Sequence, residues 1–303
     1  MSRIAVIDLG TNTCNLLIAE YHDHRYEILY QGKEAVKMGR GGIHKNRIME
    51  DGMQRAVQSL LKHQQKITHF NADKVIAIAT SAVRDAGNRD EFCRTLLAET
   101  GIPLQVISGK REAELIFNGV LLAFDGEPGH SLIMDIGGGS NEFILCREKQ
   151  IIWKESFPLG IARILEQFPL SDPATNTEAE TIRNYFNENM GPLWNTVSQE
   201  KPDFLIGCSG AFDTLVDLLD GTEPGTKLRK QQEICPDDFR KIYEQLIRST
   251  TDERMQMKGL EPLRMEMIVP AVILIDLVLE KTGIHRIVQT DYALREGVLY
   301  ELI

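Results

Sequence analysis

No stretch of this 303-residue chain approaches the roughly 20 consecutive apolar residues of a membrane span, which excludes the helical integral-membrane class. The opening MSRIAVIDLG reads as a strand and not as a secretory leader. Cysteine is sparse: Cys14, Cys93, Cys146, Cys208 and Cys235 are scattered, odd in number and without a C-x-x-C pair. Neither a disulfide framework nor a zinc site is expected; reduced thiols in a cytoplasmic protein are. A cationic surplus is also missing, since 34 Lys and Arg stand against 44 Asp and Glu for a net charge of −10. That argues against a general binder of nucleic acid or anionic membranes, and any polyanion must be met by a local basic patch. There is no Walker loop, no dinucleotide fingerprint, no low-complexity stretch and no long linker. His22 and His24 flank Asp23 in a hairpin turn, too short a cluster for a metal-dependent His-Asp site.

What is present is ordinary for a soluble globular protein, with 43% hydrophobic and 26% charged residues. The length suits one large or two medium domains. Arg3–Ile7, Asn15–Ala19 and Tyr26–Tyr30 read as a β-meander, followed by a basic loop from Gln31 to Asn46. Helical spacing covers Ile48–Thr68, then strand Lys74–Thr80, helix Asn88–Thr100, strand Pro103–Ser108 and a helix from Gly109 to Phe124. The order then recurs. Leu132–Asp135, Glu142–Cys146 and Gln150–Ser156 form a second meander, with helices at Ile161–Phe168 and Thr177–Met190 and a strand at Phe204–Ile206. Pro236–Ser249, Met265–Thr282 and Ala293–Ile303 read as helices and His285–Thr290 as a strand. A repeat of more than a hundred residues is a duplicated domain, with the boundary in Asp125–His130. The expected domains are 1–124 and 125–303, the final helix near 293–303 packing back on the first.

Two segments of this repeat carry chemistry. In each, an apolar run ends in an aspartate, Asp8 or Asp135, before a turn of small residues: Gly10-Thr11-Asn12-Thr13 and Gly137-Gly138-Gly139-Ser140-Asn141. Glycines let a backbone approach a ligand closely, and successive turn N–H groups form an anion-binding nest. The first turn on its own reads equally well as a plain hairpin; three consecutive glycines in the second are harder to explain without a ligand. Asp8 and Asp135 are candidates to hold a divalent cation or a water. Arg84, after the strand ending at Thr80, is an anion contact or surface charge. Glu112 and Glu114 open a helix, where acids commonly serve the dipole, yet a carboxylate facing a phosphate cleft could also deprotonate water. The basic residues Lys33, Lys37, Arg40, Lys45 and Arg47 are a solvated connector or a collar for a polyanion.

Six segments in order, DLGTNT, TSAVRDAGNRDEF, ISGKREAELIF, DIGGGSNE, FPLGIARI around Arg163 and ALREGVLYE, resemble the exopolyphosphatase/guanosine pentaphosphate phosphatases, within the acetate and sugar kinase, heat-shock cognate and actin superfamily. They run from Asp8 to Glu301, essentially the whole chain. The resemblance implies an α/β fold of two duplicated ribonuclease-H-like (actin-like ATPase) domains with a cleft between them. It also implies Mg²⁺-dependent hydrolysis of terminal phosphoanhydride bonds of inorganic polyphosphate or guanosine pentaphosphate. Glu112 matches the catalytic base; Asp135 and Glu142 match carboxylates near the metal and attacking water; Gly10–Thr13 and Gly137–Ser140 match phosphate loops; Arg84 matches a cleft arginine. The chain departs from the pattern at Glu114, often Arg; in Gly207-Cys208-Ser209-Gly210-Ala211-Phe212, usually richer in Gly and Thr; and at Ala271, usually Gly. Those departures bear on nucleotide binding and on turnover. Longer relatives add C-terminal helical domains, so long-chain processivity is less expected. Two other classes fit the outline: a non-catalytic sensor of guanosine polyphosphates and a superfamily kinase, the latter disfavoured by the glycine-poor third loop. Closed two-fold pairs are the commonest soluble oligomers, so a homodimer is admissible, although no apolar stripe marks an interface.

Overall fold

The computed structural model describes residues 2–23 and 25–303; Met1 and the hairpin-turn His24 lie outside the described residues. Ile4 and Val6 alternate with Ala5, Ile7 and Leu9, and all five are buried, which makes β1 (Ser2–Leu9) a central strand covered on both faces. It pairs antiparallel with β2 (Thr13–His22), which pairs antiparallel with β3 (Arg25–Ala35). Helix α1 (Glu50–His69) crosses to β4 (Lys74–Ala79), parallel to β1. The single turn α2 (Ser81–Arg84) and α3 (Arg89–Thr100) lead to β5 (Leu104–Val106), parallel to β4, and then to α4 (Gly109–Ala123). The first sheet is ordered β3-β2-β1-β4-β5.

The plan then repeats. Strands β6 (His130–Ile136), β7 (Asn141–Arg147) and β8 (Gln150–Phe157) form the second antiparallel meander. Helices α5 (Ile161–Gln167), α6 (Asn176–Asn189) and α7 (Gly191–Glu200) precede β9 (Phe204–Cys208), parallel to β6. Next come α8 (Gly210–Asp220), β10 (Gln232–Ile234), α9 (Pro236–Arg248), α10 (Thr251–Met255), a 3₁₀ turn at Pro262–Arg264 and α11 (Ile268–Thr282). The chain then passes through β11 (Ile287–Thr290), parallel to β9, into α12 (Leu294–Tyr300). Read from its meander edge, the second sheet is β8-β7-β6-β9-β11, with β10 added antiparallel outside β11. Order and strand directions match those of the first sheet, so the duplicated ribonuclease-H-like reading of the sequence holds.

Three apolar clusters hold the layers together. One packs α1 and α3 on the first sheet through Ile7, Leu16, Leu60, Phe92 and Leu96. Another packs the helices of the second half on the second sheet, with Phe143, Phe186, Phe212, Leu246 and Leu274 among its members. The third takes Ile4, Val6 and Leu17 from the first sheet and Ile133, Ile144 and Ile206 from the second, together with Leu115 and Val120 of α4 and Val298 and Leu299 of α12. Where α4 and α12 cross, their backbones touch. A Cβ on Gly119 would lie 2.1 Å from the Ala293 carbonyl oxygen, and one on Gly297 would lie 1.7 Å from that of Leu115. No helix among the described residues is long and apolar enough to cross a membrane.

Several expectations are corrected in detail. Strand β3 runs on to Ala35, so Lys33 is a strand residue and not part of the basic loop. Helix α3 begins at Arg89, one residue after Asn88, whose side chain does not cap it but bonds both backbone groups of Ile48, at 3.0 and 2.9 Å, and so anchors the end of that loop. Helix α11 begins at Ile268, not Met265, because a further turn at residues 265–267 follows the 3₁₀ turn.

Candidate active site

The two hairpin tips are built alike. In the first, the Gly10 N–H donates to the Thr13 carbonyl at 2.9 Å; in the second, the Gly137 N–H donates to the Ser140 carbonyl at 3.0 Å. Positive φ is not what the glycines supply, since none of Gly10, Gly137, Gly138 or Gly139 adopts it. Space is. A Cβ on Gly138 would lie 2.4 Å from Asn12 Nδ2, and one on Gly139 would lie 2.1 Å from Ser81 Oγ and 2.6 Å from Thr11 Oγ1. The tips therefore meet, one from each sheet.

Their carbonyls are turned away from each other's amides and fully used. The Thr11 and Asn12 carbonyls accept from Met38 N–H at 2.8 Å and Val36 N–H at 2.9 Å. Those of Gly137 and Gly138 accept from Ile161 N–H at 3.0 Å and Ala162 N–H at 2.8 Å, satisfying donors at the start of α5 that have no partner within the helix. The Gly139 carbonyl accepts from Arg163 Nε at 2.8 Å, which gives the FPLGIARI segment its structural task. The amides of Thr11, Asn12 and Gly138, by contrast, donate to no protein acceptor among the described residues, and all three residues line a cavity of about 470 Å³. Unpaired backbone donors beside open space are the elements of an anion nest.

Asp8, Glu112, Asp135 and Glu142 line the same cavity. Asp135 and Glu142 are cross-strand partners on β6 and β7; Asp8 faces Asn15 across β1 and β2, and the Asn15 amide donates to it at 3.2 Å. Glu112 arrives from the first turn of α4. Its approach to the second sheet depends on Gly109, where a Cβ would lie 2.5 Å from Ser156. Capping of α4 falls instead to Ser108, whose Oγ accepts from Arg111 N–H. Glu114 points elsewhere: it pairs with Lys154 at 2.6 Å and Arg111 at 3.3 Å, and those hydrogen bonds hold its carboxyl below its usual range.

Burial drives all four cavity carboxyls upward. Asp135 is pushed up to about 8 by burial and by Glu142, with the Ser209 hydroxyl opposing. Glu112 lies well above its ordinary value through burial and the charge of Glu142, partly offset by Arg84. Glu142 is raised by burial, although Ser140 and Ser156 both donate to its Oε1 at 2.6 Å. Asp8 is raised by burial as well. Among the described residues, no group of three or more His, Cys, Asp or Glu is gathered so as to hold a metal alone. The donor set suits a cation held by one or two carboxylates, its remaining positions filled by water and ligand oxygens.

Some candidates are placed differently from expectation. Arg84 is not on the cavity wall; it stands behind Glu112, donating to its Oε2 at 2.7 Å and to the Ile107 carbonyl at 3.3 Å. The short α2 ends on Arg84 with the guanidinium facing the start of α4, where it serves as the counter-ion of Glu112. Asn141 is also off the wall, buried in β7 with its amide donating to the Leu159 carbonyl at 2.8 Å, and Gly139 is packed against Ser81. Lys37, Arg40, Lys45 and Arg47 form no collar on the cavity; residues 36–39 of that segment brace the first tip through their backbone.

Sequence reasoning missed Ser209, Asp213, Arg264 and Arg295 on the wall. Ser209 adopts φ 65° and ψ 173°, a region almost reserved for glycine, which costs about 1–3 kcal/mol and commonly marks a functional turn. The available signal for Asp213 was its spacing on α8, where Gly210, Asp213, Thr214 and Asp217 share the face toward the cavity. Of the departures, Gly207 leaves room for Phe212, whose ring a Cβ would approach to 2.1 Å, and Ala271 is buried in α11.

Twin ribonuclease-H-like halves meeting at two phosphate-sized turns define the actin-like ATPase fold. The chain belongs to the Ppx/GppA phosphatase family, whose model matches residues 17–303. The solved exopolyphosphatase from Cytophaga hutchinsonii shares 39% identity and a TM-score of 0.93, covering 99% of this chain and 97% of that one. A family member from Aquifex aeolicus shares 25% identity with a TM-score of 0.81, over 99% and 97% of the two chains. Exopolyphosphatase 2 of Mycobacterium tuberculosis is 27% identical over 100% of this chain and 99% of its own length. The bifunctional 3-dehydroquinate synthase/phosphatase of Fusobacterium nucleatum is 31% identical over 98% of this chain, which spans only 46% of that longer protein.

Proposed function

We propose that this protein hydrolyses terminal phosphoanhydride bonds, of inorganic polyphosphate first and guanosine pentaphosphate second, with Mg²⁺. The observation that carries this reading is the set of unpaired tip amides at Thr11, Asn12 and Gly138 facing the same cavity as Glu112. The exopolyphosphatases among its relatives favour polyphosphate as substrate.

Phosphoryl transfer asks a protein mainly for positioning and charge neutralisation. The tip amides and the hydroxyls of Thr11 and Thr13 would bind the terminal phosphoryl oxygens and orient the bond to be broken. Glu112, aligned by Arg84, would take a proton from the attacking water. A base poised by burial is matched to that task near neutral pH. Glu142 has Oε1 committed to two hydroxyls, which leaves Oε2 to orient the same water. Asp135, with Asp8 nearby, would hold Mg²⁺, which when bound supplies positive charge to the bridging oxygens. The crowding of three buried carboxyls and the half-buried Asp8 supports this, because a cation among them would offset the burial and, after it, the mutual repulsion that raise their proton affinity.

The test is phosphate release from long polyphosphate, tripolyphosphate, guanosine pentaphosphate and ATP, with and without Mg²⁺. Release from polyphosphate that stops on chelation is expected. Tight binding with no release over hours would identify a sensor instead, and transfer only to a small-molecule hydroxyl would identify a kinase.

A further inference from the structure

Lys33 and Arg264 are cavity-lining cations from opposite halves, Lys33 on β3 and Arg264 at the end of the 3₁₀ turn. One carboxylate serves both. Glu261 forms an ion pair with Lys33, and the same Oε2 lies 3.9 Å from Arg264 Nε. That Nε is buried and has no hydrogen-bond partner among the described residues. The guanidinium is wedged over the start of α8, where a Cβ on Gly210 would lie 1.5 Å from it. Burial and the charge of Arg264 lower the proton affinity of Lys33; Glu261, and Asp213 after it, oppose this. A half-exposed lysine and a largely buried arginine thus share one ion-pairing carboxylate, with Asp213 acting on both from farther off, and the arginine is left short of a partner. The Lys33 and Glu261 side chains are 37% and 26% exposed, so the cluster sits at a wetter part of the cavity than the buried carboxylates.

We propose that Glu261 is a specificity-determining residue, an internal anion between Lys33 and Arg264 that the second or third phosphate of a substrate must displace. A chain long enough to reach past the tips offers more negative charge than one carboxylate and satisfies both cations. Orthophosphate, held at the tips alone, never meets Glu261. The residue therefore sets how strongly length and charge are rewarded. This rests on the reading of the cavity as a phosphoanhydride site.

The test is calorimetric titration of inorganic tripolyphosphate and of orthophosphate, in Mg²⁺, into Glu112→Gln as the reference and into the same background carrying Glu261→Gln, Glu261→Ser or Lys33→Gln. Both Glu261 variants should bind tripolyphosphate about 10-fold more tightly, the order expected for releasing a partly desolvated charge pair, with orthophosphate unmoved. Lys33→Gln should bind it about 10-fold more weakly and shrink the gain from Glu261→Gln. A merely structural Glu261 would not yield tighter binding when removed. Unchanged or weaker tripolyphosphate binding in a folded Glu261 variant overturns the inference alone, as does an equal gain for orthophosphate. No binding of tripolyphosphate by the reference or the unsubstituted protein overturns the functional reading and this inference with it.

Discussion

Replacing Asp135 with asparagine should make the metal-free protein more stable at pH 8. Its carboxyl sits near 3.8 in the unfolded chain and at about 8 in the fold, chiefly through burial. Between those values the folded state keeps a proton that the unfolded chain has released, so stability falls as pH rises through that window. By pH 7 the deficit spans about three units, roughly 4 kcal/mol at about 1.4 kcal/mol per unit. Relaxation and water entry around a buried charge reduce the realised amount to about 1–3 kcal/mol. Asparagine keeps the shape and an acceptor for Ser209 but cannot ionise. Thermal and urea denaturation in chelator at pH 4, 6 and 8 should show parent and variant level at pH 4. By pH 8 the variant should lead by roughly 2–5 °C. Added Mg²⁺ should raise the melting temperature of the parent at pH 8 and leave the variant where it was. A variant less stable than the parent at pH 8, or a difference that ignores pH, would refute the assignment of an uncompensated buried carboxyl.

Glu112→Gln should retain the fold and tripolyphosphate affinity while losing at least ~10²-fold in phosphate release, the contribution of a positioned base; an unchanged rate removes Glu112 from the chemistry. Arg84→Met strips Glu112 of the cation that lowers its proton affinity, so the acidic limb of the pH–rate profile should move to higher pH. An unmoved limb would show that Arg84 does not act through Glu112. Gly297→Ala drives a methyl into the Leu115 carbonyl and should cost about 3 kcal/mol, a fall of roughly 5 °C by calorimetry; a wild-type melting temperature would mean the crossing of α4 and α12 is looser than its geometry.

Much of this was legible because its signals are local. The paired meanders, each with an aspartate before its turn, follow from strand periodicity and turn chemistry, and they place Asp8 and Asp135 correctly on β1 and β6. Glu112 faces the cavity for a reason no window of sequence contains: Gly109 abuts Ser156 from the other half. The pairing of Arg84 with Glu112 was not legible, because a cation near a cleft looks the same in sequence whether it meets a ligand or a buried glutamate. The basic loop could be read two ways because its charge is conspicuous while its use, donation from backbone N–H groups to the Thr11 and Asn12 carbonyls, belongs to no side chain. Helix α7 passed unnoticed after the glycine and proline that open it, and β10 is three residues long. Ser209 illustrates the general limit, since nothing in its neighbours announces a backbone angle that serine ordinarily avoids.

The bare crossing of α4 and α12 gives the molecule a fulcrum. With no side chain between Gly119 and Ala293, or between Gly297 and Leu115, the helices lie backbone to backbone and cannot shift lengthwise without forcing a neighbouring Cβ into a carbonyl. The gap between Asp8 and Asp135, which belong to different sheets, is thereby gauged by a joint that contains neither. A substitution that pried this joint open would silence the protein with every reacting group still in place.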